Sequence, residues 1–177
     1  DPEHRYERDN RMTIEALNSL GPEEAEARFR DCCAANPWIQ GMLDARPYAS
    51  PEALLSRSHE LWPELTEQDW LDAFEAHPKI GDVNSLRAKY ASTKAMASGE
   101  QVGASTASEN VLQRLKAGND AYLAKFGFIF IICASGKSAS EMLELLEARL
   151  PNSRSEELKN AAKEQAKITE LRLEKLL

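Results

Sequence analysis

Long apolar runs are missing from this chain: none approaches the roughly 20 residues needed to cross a bilayer. The charged opening DPEHRYERDN also lacks a secretory hydrophobic segment, so neither a membrane nor an export route is expected. Cysteine is scarce. Cys32 and Cys33 are adjacent and Cys133 is remote, which excludes a disulfide framework and a paired-cysteine metal knuckle and fits a reducing compartment. Histidine is equally sparse. His4, His59 and His77 show no two-histidine metal spacing, and His59-Glu60 lacks the second histidine of an HExxH helix, so no metal is expected. Positive charge is in deficit, with 22 Lys and Arg against 29 Asp and Glu and a net charge of -7. That balance disfavours nucleic acid and anionic membranes as partners, while one or two local cations can still meet a small anion. Strand-like sequence is confined to one stretch, KFGFIFIICASGKS at 125–138.

What the chain has in quantity is helix-forming sequence broken by Pro, Gly and Ser. Its 177 residues, 42% hydrophobic and 29% charged, suit one globular domain able to bury about 70% of its unfolded surface. The expectation is an all-α, single-domain bundle of about eight short and medium helices spanning 1–177, with a core from about 12 to 176. Thr13 caps a first helix to about Leu20, Pro22 opens a second, and Asn36-Pro37 stops it. WIQGMLDAR forms a third helix, and Pro51 opens a fourth that Pro63 closes. TEQDWLDAFEAH begins with a capping box in which Asp69 takes the usual Glu position. A long helix from Ser105 or Thr106 carries Val111, Leu112, Leu115 and Tyr122 to a cap at Gly127. Ser138 with Glu141, and Ser153 with Glu156, open the last two helices, the final one running from about 154 to 176.

Three polar residues stand out against this frame. At about 100° per residue, Trp70, Phe74 and His77 share one face, which turns His77 toward the core at a helix end. There it is either a core-edge histidine satisfied by a carbonyl or a titrating group whose charged form the helix terminus favours. On the last helix, Gln165 and Arg172 fall inside the apolar stripe. An inward guanidinium needs an ion pair, a snorkelling stem or a carboxylate or urea group to grip. Glu100 is the third acid–base candidate. ASGKS resembles the tail of a phosphate loop, but Ile131 occupies the position of its first Gly. Cys133 sits in an apolar run where a thiol is inert, and there is no GxSxG nucleophile.

AHPKIG at 76–81, EQ at 100–101, LxxxNxxYxxKFGFxFIICASG at 115–136 and KITELRL at 167–173 together resemble the 2-oxo-4-hydroxy-4-carboxy-5-ureidoimidazoline (OHCU) decarboxylase family. The resemblance runs from about residue 12 to the end. It implies an all-helical, dimeric, cofactor-free enzyme that removes carbon dioxide from OHCU to give (S)-allantoin late in urate degradation. By match of motifs it implies that His77 is catalytic, that Glu100 is the active-site glutamate, and that Arg172 binds substrate. Pro78, Phe128, Ile129 and Ile131 then belong to the substrate pocket. Many members carry Ser three residues before the Glu, whereas here Ala97 stands there and Ser98 follows, so Ser98 enters as a substrate-binding candidate whose role is in question. An inactive helical module, or an enzyme acting on a related ureido or hydantoin compound, remains open. A cytoplasmic location is implied, or a peroxisomal one in a eukaryote, although the chain ends EKLL and not in an SKL-like tripeptide.

Overall fold

The computed structural model describes residues 11–79, 83–91 and 102–177. Among these, secondary structure is entirely helical, with nine α-helices and one short 3₁₀ turn. In chain order they are α1 Ile14–Ser19, α2 Pro22–Cys32, α3 Asn36–Asp44, α4 Pro51–Leu61, α5 Glu67–Glu75, α6 Val83–Ala91, α7 Val102–Phe126, α8 Ala139–Arg149 and α9 Arg154–Leu176.

Two compact units are present. One comprises residues up to Ala76 together with Ala162–Leu177, the other His77–Ala161. In the first, α2 packs on α3 and α3 on α4 around fully buried Leu17, Phe29, Trp38, Met42, Leu54 and Leu173. Arg46 closes the end of α1 by donating to the carbonyls of Leu17 (3.0 Å) and Leu20 (2.8 Å), two of the acceptors that a helix C-terminus leaves unmet. Trp62 Nε1 donates to Ala162 O at 2.9 Å and ties the 3₁₀ turn to α9.

The second unit is built on the α7–α8 pair. Gly118 makes that approach possible, because a Cβ there would lie 2.7 Å from Leu146 Cδ2. Leu112, Leu115 and Tyr122 are buried on α7 and Met142, Leu143 and Leu146 on α8.

Local signals account for most boundaries. Thr13 Oγ1 accepts from Ala16 N, and both halves of the Thr66–Asp69 box form, at 3.1 and 3.2 Å. Ser138 and Ser153 accept the N–H groups of Glu141 and Glu156, but those carboxylates take the serine hydroxyl protons in place of the cap N–H. Some expectations are corrected. Asn36-Pro37 does not stop a helix but starts one, since Pro fits the first turn; α2 ends earlier, where Cys33 becomes extended. The expected stop of α4 at Pro63 holds, with a 3₁₀ turn following the helix. The long helix starts at Val102, ahead of the expected Ser105.

Candidate active site

His77 comes first in the chain. Its helix, α5, buries Ala73 and Phe74, leaves Trp70 half-buried, and ends at Glu75. His77 was expected in the last helical turn; it lies two residues beyond, in the bend that follows. Pro78 is the reason, because its ring pushes the preceding residue out of the α region. The histidine is half-buried, and Pro78 and Lys79 beside it are exposed.

Phe128, Ile129 and Ile131 lie in the stretch between α7 and α8. Gly127, at φ 81, terminates α7 with its N–H on Leu123 O at 2.9 Å, a left-handed conformation that suits glycine. The chain from 128 to 134 then runs without helix or strand, as the sequence suggested for a buried irregular passage. Phe128, Phe130, Ile131 and Cys133 are buried, and Ile129 is half-exposed. The rings of Phe128 and Phe130 meet Tyr122 edge-on at 5.9 and 5.3 Å. Lys137 Nζ is tied to Cys133 O at 2.9 Å within its own turn, an arrangement unlike the outward lysine of a phosphate loop.

Arg172, on α9, belongs to the first unit, whereas His77, Pro78 and the 128–131 stretch belong to the second. The buried face of α9 repeats every four residues through Glu157, Ala161, Gln165, Thr169 and Leu173. Arg172 borders that face, half-buried, and its Nη1 donates to Cys32 O at 3.3 Å, near the C-terminus of α2 where a cation is favoured. Among the described residues it makes no ion pair. Burial pushes the Cys32 thiol up to about 12 and that of Cys33 up to about 11, against the opposing charge of Arg172, so both stay protonated and inert at neutral pH. Glu100 and Ser98 fall outside the described residues.

A polar cluster that periodicity did not single out lies inside the second unit. Glu157 is fully buried. Its Oε1 accepts from Tyr122 Oη and Arg149 Nε, both at 2.6 Å, and its Oε2 from Asn152 (2.9 Å) and Asn160 (2.7 Å). Burial alone would raise the carboxyl pKa; these four donors outweigh it and hold it below the ordinary value. Tyr122 is raised by burial and by its bond to Glu157, so it remains a phenol. The available signal was Glu157 itself, a carboxylate four residues before Ala161 on the apolar face. A separate small pocket of about 70 Å³ in the first unit is lined by Trp38, Ser58, His59, Trp62, Thr169 and Glu170 among others, and contains none of the expected site residues.

A family model described as OHCU decarboxylase matches residues 18–174. The chain belongs to the OHCU decarboxylase family. It is 39% identical over 157 residues to the uric acid degradation bifunctional protein TTL of Arabidopsis thaliana, covering 89% of this chain and 48% of that one. The chain thus spans about half the length of that plant relative. A Halalkalicoccus jeotgali protein named 2-oxo-4-hydroxy-4-carboxy-5-ureidoimidazoline decarboxylase is 28% identical over 167 residues, covering 94% of this chain and 92% of its own. Among solved structures, an OHCU decarboxylase crystallised in the presence of (S)-allantoin superposes with a TM-score of 0.66 at 37% identity, covering 84% of this chain and 95% of that one. An (S)-allantoin synthase superposes at 0.69 with 18% identity, which speaks to the OHCU decarboxylase fold alone.

Proposed function

We propose that this chain decarboxylates OHCU to (S)-allantoin without a cofactor, with His77, Glu100 and Arg172 as its principal working residues. The observation that carries the proposal is the family match over residues 18–174, with all four motifs present in order. The half-buried imidazole of His77 and the guanidinium of Arg172, which makes no ion pair among the described residues, suit the roles proposed for them.

OHCU carries a carboxylate and a hydroxyl on one ring carbon, next to the ureido-bearing carbon. When the bond to the carboxylate breaks, its electron pair moves into the adjacent C=N system, whose nitrogen takes up a proton, and carbon dioxide leaves. The hydroxyl then loses its proton to become a carbonyl, and the ureido-bearing carbon gains one. The substrate supplies its own electron sink, so the chain's work is orientation and proton transfer. His77 exchanges the proton with the hydroxyl or the developing carbanion. Glu100 orients His77 or holds a ureido or ring N–H, and a nearby carboxylate would favour the imidazolium. Arg172 grips a polar end of the substrate through parallel hydrogen bonds. Pro78 and the 128–131 stretch line the ring, the latter offering backbone groups at the edge of an apolar wall. Ser98 joins this set as a substrate contact, one place removed from the family's usual Ser. Homodimerisation, and action in the cytoplasm or a eukaryotic peroxisome, belong to the same reading. Among the described residues no helix is long and apolar enough to cross a membrane.

The test is to supply urate, urate oxidase and hydroxyisourate hydrolase and follow the product by circular dichroism. Uncatalysed decay of OHCU gives racemic allantoin; the purified chain should accelerate the step and leave an excess of the S form. A protein that has kept only the scaffold would change neither rate nor chirality.

A further inference from the structure

The 127–134 stretch has neither helix nor sheet to fix its backbone, yet two of its carbonyls and one just upstream are held by cations. Arg149 Nη1 donates to Ile131 O at 2.7 Å, Lys137 Nζ to Cys133 O at 2.9 Å, and Arg154 Nε to Phe126 O, just upstream, at 3.3 Å. The two arginines also lie over rings of the same stretch, Arg149 at 4.6 Å from the Phe130 centroid and Arg154 at 5.8 Å from that of Phe128. Of these cations Arg149 is held at Nε, Nη1 and Nη2 alike. Its Nε meets Glu157, its Nη2 meets Tyr122 Oη at 3.3 Å, and only 12% of its side chain is exposed. Glu157 is itself held by three further donors, so the guanidinium that meets the Ile131 carbonyl and the Phe130 ring is anchored on a fixed carboxylate.

We propose that Arg149 is a positioning residue for the reaction, setting the 128–131 wall through the Ile131 carbonyl and the Phe130 ring. The inference rests on the reading above in which that wall lines the substrate ring. Apolar side chains of similar volume would serve stability as well as a buried ion pair. What they would not supply is a planar donor fork that fixes a lone backbone carbonyl and a ring at once.

Arg149→Lys and Arg149→Gln separate positioning from mere support, with Leu146→Ala as a comparison. Leu146 is fully buried in the α7–α8 contact, so its truncation weakens the same unit without removing any hydrogen bond to the wall. A wall that contacts the ring in both ground and transition state contributes uniform binding. Its displacement should raise KM by roughly 10- to 100-fold with kcat nearly retained. Loss of folded protein does the opposite, lowering apparent kcat at constant KM, as expected for Leu146→Ala. Amide hydrogen exchange should quicken in 127–134 ahead of the rest of α7 and α8 in the Arg149 variants. Unchanged KM and unchanged local exchange in Arg149→Lys would overturn the proposal, as would an Arg149→Lys that fails to fold, since that makes the role purely structural. An inactive wild-type protein would instead sink the reaction itself, while exchange would still decide whether Arg149 holds the segment.

Discussion

His77 owes its place to the residue after it: Pro78 keeps it out of helical geometry, two residues beyond the end of α5, and leaves the imidazole half-buried in a bend. A group so placed can lose its function without loosening a core. His77→Asn is therefore expected to lower kcat about 10²- to 10⁴-fold with little change in melting temperature. Arg172→Lys should act differently, raising KM about tenfold, because a single ammonium cannot reproduce the parallel donors of the fork. Steady-state kinetics on freshly generated OHCU with a parallel melt checks both; normal turnover by His77→Asn would remove it from the proton-transfer role. As candidates, both were picked out by local pattern, His77 by AHPKIG and Arg172 by a wheel position inside the apolar stripe, which the structure replaces with a half-buried place at that stripe's edge. Arg149 and Glu157 were not. Arg149 finds its partners 8, 18 and 27 positions away, and no periodicity within one element encodes such distances. The helix-end position given to His77 failed for a local reason, since wheel geometry was extended through a residue that proline removes from the helix.

Elements whose ends are set by neighbours three or four residues away were readable. The Thr13, Thr66, Ser138 and Ser153 caps fall where the sequence put them, as does the Gly127 stop. Asn36-Pro37 was misread because a proline that cannot continue one helix can equally open another, and only the extended geometry at Cys33 decides. How the elements of the second unit are joined was not readable, and there Glu157 bonds to several of them at once. At the start of α9 it binds Tyr122 of α7, Arg149 of α8 and Asn152 of the turn between α8 and α9. Glu157→Gln leaves the Arg149 charge buried without its counter-ion and should cost about 3–5 kcal/mol at pH 7. The pH dependence has a definite sign. A carboxyl held below its ordinary value contributes stability that is complete above about pH 4.3 and is lost as pH falls through its folded value. The gap between wild type and Glu157→Gln in urea unfolding should thus be widest near neutrality and narrow below about pH 4. A gap independent of pH would mean that the ionised form is not what holds these helices.

At the level of the whole molecule, α9 runs from the second unit into the first, with the division falling between Ala161 and Ala162. We propose that the chain nevertheless unfolds as one domain, since both units share α9. All three tryptophans, Trp38, Trp62 and Trp70, lie in the first unit, so their fluorescence reports that unit while far-ultraviolet circular dichroism averages over both. Coincident transitions are expected, and separated midpoints would establish two independently folding bodies. The all-helical class was legible because capping signals and apolar periodicity agree along most of the chain. The division into units was not, because it depends on contacts distant in sequence. The central claim concerns chemistry more than shape, and chirality tests it most directly. With OHCU generated from urate in the presence of urate oxidase and hydroxyisourate hydrolase, the circular dichroism of the allantoin formed should show accelerated appearance of the S enantiomer. Racemic allantoin formed at the uncatalysed rate would contradict the assignment.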